Sequence, residues 1–358
     1  MTTGSIRLGT YVGIPVRAHW SMAFVAVLLG VNFTSLYGVV PGLVLTLAFF
    51  ASIVAHEFGH AMVARRHGVE TKSIDLWALG GVAHLDRESP TARADGLIAV
   101  AGPAVSFVIS VTAFAAWFAL GWPILFVIGF LNGILAVFNM LPGAPLDGGR
   151  VLRAVRWAQT GDKYRAMRDA GHAGRVLGWG IVGLGVAMIL NGLLFGVYLV
   201  ILGLFIALNA RAEIMASYVG EQLQGIKVRD LTWFGIAHAG SDMDADSMIW
   251  QRQRLGSAGA VAVVDESGHL DGLVLEEQLW AVPSERRAMV MLTQLMVPFT
   301  KLAKASPDED LSAVLPRLNP MRPVVTVWDD DRLLGIVPPK RLQERLQQAQ
   351  RRAFPAPA

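Results

Sequence analysis

Apolar residues form long unbroken stretches up to about Arg211, whereas beyond Glu213 the apolar runs shorten and charged residues become frequent. Stretches of roughly 20 residues with few or no charges are long enough to cross the hydrocarbon core of a membrane as helices. The pattern predicts six membrane segments: Trp20–Tyr37, Gly42–Arg65, Gly96–Leu120, Trp122–Leu141, Val176–Leu190 and Leu193–Ala210. The last two are short and are joined at Asn191-Gly192, which favours a tight helical hairpin.

Two short pieces beside the predicted membrane helices have the pattern of extended chain. One runs from Ser5 to Val16 with Gly and Pro punctuation, and the other runs from Lys72 to Leu85. In the second piece, the stretch Trp77–Ala83 contains two adjacent glycines and predicts a hairpin. The first part of the chain is therefore predicted to be a mainly α-helical membrane protein with short membrane-associated β-hairpin elements.

The polar C-terminal region contains an internal repeat with a period of about 64 residues. The matching pairs are Val263-Val264-Asp265 with Val327-Trp328-Asp329, Leu270–Val274 with Leu333–Val337, and Asp244 and Asp246 with Asp308 and Asp310. Each unit has the pattern of an Asp-capped helix, a strand, a turn, a strand and a helix. The repeat predicts a soluble α/β module after the last membrane helix.

Composition and charge narrow the possible functions. The chain has no cysteine, so a bound metal must be held by His, Asp or Glu. The net charge of +3 comes without a basic stripe suited to nucleic acid, and we expect no nucleic-acid partner. The start of the chain lacks the pattern of a cleavable signal peptide, so the first apolar segment is expected to remain as a membrane helix.

The positions of Lys and Arg predict how the chain is oriented. The link after the second segment and the link after the fourth are rich in basic residues, whereas the turns near Val39, Gly121 and Asn191 have none. By the positive-inside rule, both termini and the C-terminal module are expected on the cytoplasmic side of a cell membrane, in contact with its lipids.

A metal-binding pattern lies at the end of the second segment, where His56-Glu57-Phe58-Gly59-His60 reads H-E-x-x-H. Residues four apart share one face of a helix, so both imidazoles can bind one zinc ion, with Glu57 beside them as a general base. Ionisable groups are costly within a membrane, so this cluster indicates function rather than packing. The less favoured alternative is that either histidine is only a hydrogen-bonded residue in the packing between helices.

The third metal ligand is predicted to be Asp147, because a catalytic zinc ion needs three protein ligands and an open position. This residue follows the fourth segment, and Pro142, Gly143 and Pro145 break the helix before it. The alternative is that Asp147 only caps the helix that follows. Its predicted membrane depth matches that of the histidine pair, which favours the metal site.

These motifs resemble those of the site-2 protease family of intramembrane zinc metalloproteases. Both family signatures are intact, H-E-x-x-H at His56–His60 and N-x-x-P-x-x-x-L-D-G at Asn139–Gly148. Further matching stretches are Gly80–Ala83, Ala101–Pro103 and Gly13–Trp20. The C-terminal repeat resembles a tandem pair of CBS domains, which a subgroup of this family carries. The expected boundaries are 1–217 for the protease domain, 218–284 and 285–348 for the two CBS repeats, and 349–358 for a disordered tail.

The resemblance implies that His56, His60 and Asp147 bind one zinc ion and that Glu57 is the general base. It also implies that Asn139 holds or polarises the scissile carbonyl, although bonding between helices is an alternative role for this amide. The hairpin residues Gly80, Gly81 and Val82 are expected to bind an unwound substrate strand, and the alternative is that Gly80 and Gly81 only form a turn. His84 on the same hairpin is expected to lie outside the zinc site.

The family resemblance implies cleavage of a transmembrane segment in a single-pass membrane regulator. The repeats lack the Ser/Thr and Asp of the usual CBS nucleotide pattern, ending instead in Glu276-Glu277-Gln278 and Pro339-Lys340-Arg341, which argues against an adenine nucleotide ligand. The alternatives are dimerisation through the module, gating of substrate, and a purely structural role. Two other functions remain open for the whole chain: a CBS-gated transporter or channel, and a catalytically inactive protease homologue.

Overall fold

A computed structural model describes residues 4–78, 80–251, 259–318 and 324–353. The chain divides into two compact units, Met1–Ser217 and Tyr218–Ala358. The first unit contains four strands and most of the long helices. Its elements are β1 (Ser5–Tyr11), β2 (Ile14–His19), α1 (Trp20–Tyr37), α2 (Val39–Arg66), β3 (Thr71–Trp77), β4 (Gly80–Leu85), α3 (Ala92–Leu120), α4 (Pro123–Asn139), α5 (Asp147–Thr160), α6 (Lys163–Leu190) and α7 (Gly196–Leu223), the last of which continues into the second unit.

Five of these helices, α1, α2, α3, α6 and α7, are long and apolar enough to cross a membrane, and the chain is a multi-pass membrane protein. The predicted fourth segment differs, because α4 has only 17 residues. It is one residue shorter than α1, and at 1.5 Å per residue its length is about 25 Å, which lies at the lower limit of about 17 residues for a membrane-spanning helix. The helix ends early because the proline-rich loop after Asn139 cannot continue it.

The fifth and sixth segments were predicted too short. Both α6 and α7 have 28 residues and extend well beyond the apolar windows 176–190 and 193–210. Asp162 caps the start of α6 by accepting a hydrogen bond from the backbone N–H of Arg165. Hydropathy marks only the apolar part of a helix, whereas polar residues continue the same helix outside it.

A four-stranded sheet packs against α2 in the first unit. Its strand order is β1-β2-β3-β4, with parallel pairing of β2 with β3 and antiparallel pairing elsewhere. Ile74 and Leu76 on β3 are fully buried and pack with Ala61 of α2 in one apolar cluster. The two predicted extended pieces therefore form one sheet, and β4 lies at its edge.

The second unit contains two further four-stranded sheets. Its elements are β5 (Trp233–Phe234), β6 (His238–Gly240), α8 (Ala245–Trp250), β7 (Ala260–Val264), β8 (Leu270–Leu275), α9 (Glu276–Trp280), α10 (Leu292–Leu295), β9 (Val297–Pro298), β10 (Ala303–Ala305), α11 (Leu311–Val314), β11 (Val325–Asp329), β12 (Arg332–Val337) and α12 (Pro339–Ala353), with 3-10 helices at Val228–Asp230, Ser284–Met289, Phe299–Lys301 and Leu315–Arg317.

The two repeats exchange their edge strands. The sheet orders are β6-β7-β8-β9 and β10-β11-β12-β5, so β5 joins the sheet of the second repeat and β9 joins that of the first. A linear boundary between 284 and 285 therefore does not separate the two sheets. Strand pairing joins residues that are far apart in sequence, and the repeat pattern contains no information about this exchange.

The predicted tail 349–358 is partly wrong. Helix α12 continues to Ala353, and Ala349 is buried in the same apolar cluster as Leu342. Burial of this helix face stabilises the last turns, although their sequence is rich in Gln and Arg. Residues 354–358 lie outside the described part of the chain.

Candidate metal centre

The histidine pair on α2 meets the first residue of α5. The Nε2 atoms of His56 and His60 lie 3.1 and 3.3 Å from Oδ2 of Asp147. Two ligand atoms of a tetrahedral zinc ion, each about 2.0–2.1 Å from the metal, are themselves about 3.3 Å apart. The donor set His, His and Asp and its spacing therefore fit a zinc ion that these three residues share.

Close backbone packing brings Asp147 to the histidines. A Cβ atom on Gly148 would lie 2.3 Å from the carbonyl oxygens of Met140 and Leu141, and one on Gly149 would lie 2.3 Å from the backbone N of Ala144. Any side chain at these glycines would push the start of α5 away from the loop before it. The peptide bond between Ala144 and Pro145 in this loop is cis.

Helix α3 holds the outer nitrogens of both imidazoles. The Nδ1 atom of His56 lies 2.9 Å from Oγ of Ser106, and Nδ1 of His60 lies 2.6 Å from the carbonyl oxygen of Ile98. With Nε2 facing a metal, each Nδ1–H donates to these oxygens, which fixes the orientation of each ring. Sequence reasoning missed Ser106, because α3 also contains Ser110 and Thr112 and nothing in the sequence distinguishes Ser106 from them.

Gly102 on α3 leaves the space in which the two imidazoles meet. A Cβ atom here would lie 2.2 Å from Nε2 of His60 and 2.6 Å from Nε2 of His56. In the sequence, Gly102 belongs to the stretch Ala101–Pro103 that resembles the site-2 protease family, and no role was predicted for it. The geometry indicates that a side chain at this position would compete with the metal for space.

Glu57 is buried beside the metal ligands and contacts the edge strand β4. A Cβ atom on Gly81 would lie 2.4 Å from Cγ of Glu57, so this strand approaches the carboxylate with no side chain between them. Both residues line a cavity of about 600 Å³ that also includes His56, His60 and Asp147. The predicted base and the predicted ligands thus face one cavity.

The other predicted site residues line the same cavity. Asn139 contributes to its wall, and its Nδ2 donates to the carbonyl oxygen of Leu135 at 3.0 Å. The cavity wall also contains Gly80 and Val82 of β4. His84 is not part of this lining. Its Nε2 lies 3.1 Å from Oδ2 of Asp75 on the neighbouring strand.

A buried ion-pair cluster lies next to the cavity. Asp95 on α3 is 2% exposed and accepts two hydrogen bonds of 2.8 Å from Arg153 on α5. Arg153 also lies 3.4 Å from Glu213 on α7. Burial lowers the pKa of Arg153, but the carboxylates of Asp95 and Glu213 raise it more, so the pKa stays above its ordinary value. The cluster ties α3, α5 and α7 together behind the metal ligands.

A multi-pass membrane protein with an H-E-x-x-H site on one helix, closed by an aspartate from another, has the features of a membrane metalloprotease. The sequence model of peptidase family M50 matches residues 44–122 and 122–177 of this chain. The chain is 35% identical to Rip3 of Mycobacterium tuberculosis, over 99% of this chain and 95% of that protein. It is also 31% identical to the zinc metalloprotease MJ0392 of Methanocaldococcus jannaschii, over 68% of this chain and 71% of the relative.

The site-2 protease from Methanocaldococcus jannaschii is 31% identical and covers 59% of this chain and 95% of its own, with a TM-score of 0.45. The CBS domain of a bacterial CNNM/CorC family Mg²⁺ transporter is 16% identical over 39% of this chain and 86% of its own, with a TM-score of 0.30. This chain belongs to peptidase family M50, the site-2 protease family of zinc metalloproteases, and its cofactor is zinc.

Proposed function

We propose that this chain is a zinc-dependent intramembrane endopeptidase that cleaves a transmembrane segment of a single-pass membrane regulator. One observation carries the proposal: His56, His60, Asp147 and Glu57 border one cavity that also includes an edge strand. Zinc at this site supplies a Lewis acid for the scissile carbonyl and lowers the pKa of a water molecule. The chain's own residues perform the remaining steps.

Glu57 accepts a proton from the attacking water and later passes it to the nitrogen of the leaving amine. Glu57 lines the cavity, and Gly81 of β4 approaches it with no side chain between them. Asn139 holds the carbonyl oxygen of the scissile bond through the N–H of its amide that is not donated to Leu135. Ser106 and the carbonyl of Ile98 keep both imidazoles oriented throughout.

The edge strand β4 binds the substrate. Each carbonyl of a membrane helix is hydrogen-bonded within that helix, so the substrate must unwind before its peptide bond can be attacked. Among the described strands β4 pairs only with β3, and its residues Gly80–Ala83 line the cavity. An unwound segment that adds to this edge satisfies its backbone and places a carbonyl near Glu57.

The substitution Glu57→Gln tests the proposal on a panel of co-expressed single-pass membrane regulators. Gln keeps the size of the side chain but cannot accept the proton, so the variant should retain zinc and lose cleavage. Glu70→Gln, on an exposed loop residue, is the matched control and should cleave normally. Equal cleavage by Glu57→Gln and the wild type would refute the assigned base, and absence of zinc-dependent cleavage by the wild type would refute the enzymatic function.

We also propose that the second unit lies in the cytoplasm, as the basic links after α2 and α4 indicate. The chain contains no cysteine, so single cysteines report membrane sidedness directly. In intact cells, a membrane-impermeant maleimide should label Asn191→Cys between α6 and α7 but not Asp271→Cys in the second unit. The reverse labelling would overturn this orientation.

We assign the second unit a role in dimerisation or substrate gating rather than nucleotide binding. Trp250 and Met289 support a protein-binding surface, because they are 83% and 78% exposed. The double substitution Trp250→Ser and Met289→Ser should lower either the dimer fraction in detergent or the cleavage rate. No change in both measurements would contradict this role.

A further inference from the structure

Arg150 places a guanidinium group in the wall of the catalytic cavity. It lies three residues after Asp147 on α5, so both side chains share one face of that helix. Both residues line the same cavity as Glu57 and the histidine pair. Among the described residues that line the cavity, Arg150 is therefore the one permanent cation, and it lies on the helix that also supplies the metal ligand Asp147.

The guanidinium of Arg150 makes only a weak hydrogen bond within the described part of the fold. Within the described part of the chain, its hydrogen-bond acceptor is Asp95, at a long 3.4 Å. Arg153 already gives Asp95 two bonds of 2.8 Å and carries the link to Glu213. Arginine has five N–H donors, so Arg150 keeps donors for a ligand in the cavity while Asp95 restrains its position.

The reaction proposed above creates negative charge in the cavity that Arg150 lines. Water oxygen bonds to the carbonyl carbon, its proton moves to Glu57, and negative charge develops on the former carbonyl oxygen. The C–N bond then breaks as the amine nitrogen takes this proton from Glu57. The remaining hydroxyl proton of the new acid also passes to the amine, so the products are an ammonium group and a carboxylate. The planar fork of arginine matches a carboxylate in shape and charge, which a single amide such as Asn139 does not.

We propose that Arg150 is a catalytic residue that binds the developing oxyanion and then the new C-terminal carboxylate of the product. Arg153, by contrast, is a positioning residue that holds α5 against Asp95. The role of Arg150 in turnover rests on the proposed peptidase function. The binding of a carboxylate can be measured separately from turnover.

The first measurement is equilibrium binding of acetyl-trileucine, as the free acid and as the C-terminal amide, to zinc-loaded full-length protein in detergent. The wild type should bind the acid more tightly than the amide. Arg150→Gln should lower this acid-to-amide preference by at least about tenfold, because a hydrogen bond to a charged group is lost. Arg150→Lys keeps the charge without the fork and should give an intermediate preference.

Arg156→Gln is the matched control. Arg156 lies on the same helix but does not line the cavity, and its Nε lies 2.8 Å from Oδ2 of Asp169. It should leave the preference unchanged. The second measurement is cleavage of a substrate from the co-expression panel, where Arg150→Gln should lower kcat by about a hundredfold with a smaller change in KM. Zinc content should be unchanged in every variant.

Three results would overturn the assignment of Arg150. The first is an unchanged acid preference in Arg150→Gln, and the second is loss of zinc from both Arg150 variants, which would make the residue structural. The third is an equal loss of preference in Arg156→Gln. A wild type that cleaves nothing, but whose acid preference depends on Arg150, would refute the protease function and support the carboxylate site.

Discussion

Gly102→Ala is the sharpest test of the metal centre, because it adds one methyl group where the two histidines meet. The added carbon would lie 2.2 Å from Nε2 of His60 and 2.6 Å from Nε2 of His56. To restore even 3.0 Å, the His60 ring or α3 must move by 3.0 − 2.2 = 0.8 Å. The rings cannot rotate away freely, since Ser106 and the carbonyl of Ile98 hold them from the other side.

The magnitude follows from this displacement. Substitutions that only disturb the groups behind a metal ligand lower metal affinity by about 10–100-fold. A methyl group within the ligand set should cost at least about 100-fold, which corresponds to about 2.7 kcal/mol. Helix propensity favours Ala over Gly by about 1 kcal/mol, so the substitution should not unfold α3 by itself.

The assay is the zinc content of purified protein after dialysis against a series of chelator concentrations. Gly102→Ala should lose zinc at a chelator concentration about 100-fold lower than the wild type does, and should lose cleavage with it. Gly183→Ala on α6 is the control, because, beyond its own helix backbone, no heavy atom of the described residues lies within 4 Å of its added carbon. If Gly102→Ala retains zinc like the wild type, the proposed position of the ion between these imidazoles is wrong.

Two further predictions concern the groups behind the ligands. Ser106→Ala removes the acceptor for Nδ1–H of His56 and should lower zinc affinity by about 10–100-fold, measured by the same dialysis. Ser110→Ala, one turn further along α3, is the control and should leave zinc affinity unchanged. Equal zinc affinities in the two variants would argue against the orienting hydrogen bond. Asp95→Asn leaves Arg153 without its buried partner and should destabilise the protein by about 3–5 kcal/mol, seen as a lower thermal inactivation temperature in detergent. Asp169→Asn breaks the more exposed pair with Arg156 and should cost under about 1 kcal/mol, so similar losses in both variants would contradict the importance of burial.

Some of the site could be predicted from sequence because its causes are local. Residues at positions i and i+4 share a helix face in any context, so the pairing of His56 with His60 needs no tertiary information. The length of an apolar run similarly predicts a membrane helix without knowledge of its neighbours. Asp147 was predicted from a recurring motif and from its membrane depth, whereas its 3.1 and 3.3 Å distances to the histidines depend on how α5 packs.

Tertiary structure alone decided the features that depend on contacts between distant segments. Ser106, Gly102 and Arg150 look like ordinary helix residues in the sequence, and they become part of the site only because α3 and α5 pack against α2. The exchange of β5 and β9 between the two sheets of the second unit, and the parallel pairing of β2 with β3, likewise join separated segments. Periodicity and motif spacing describe a residue's own helix or strand, whereas these features are set by what the neighbouring element places against it.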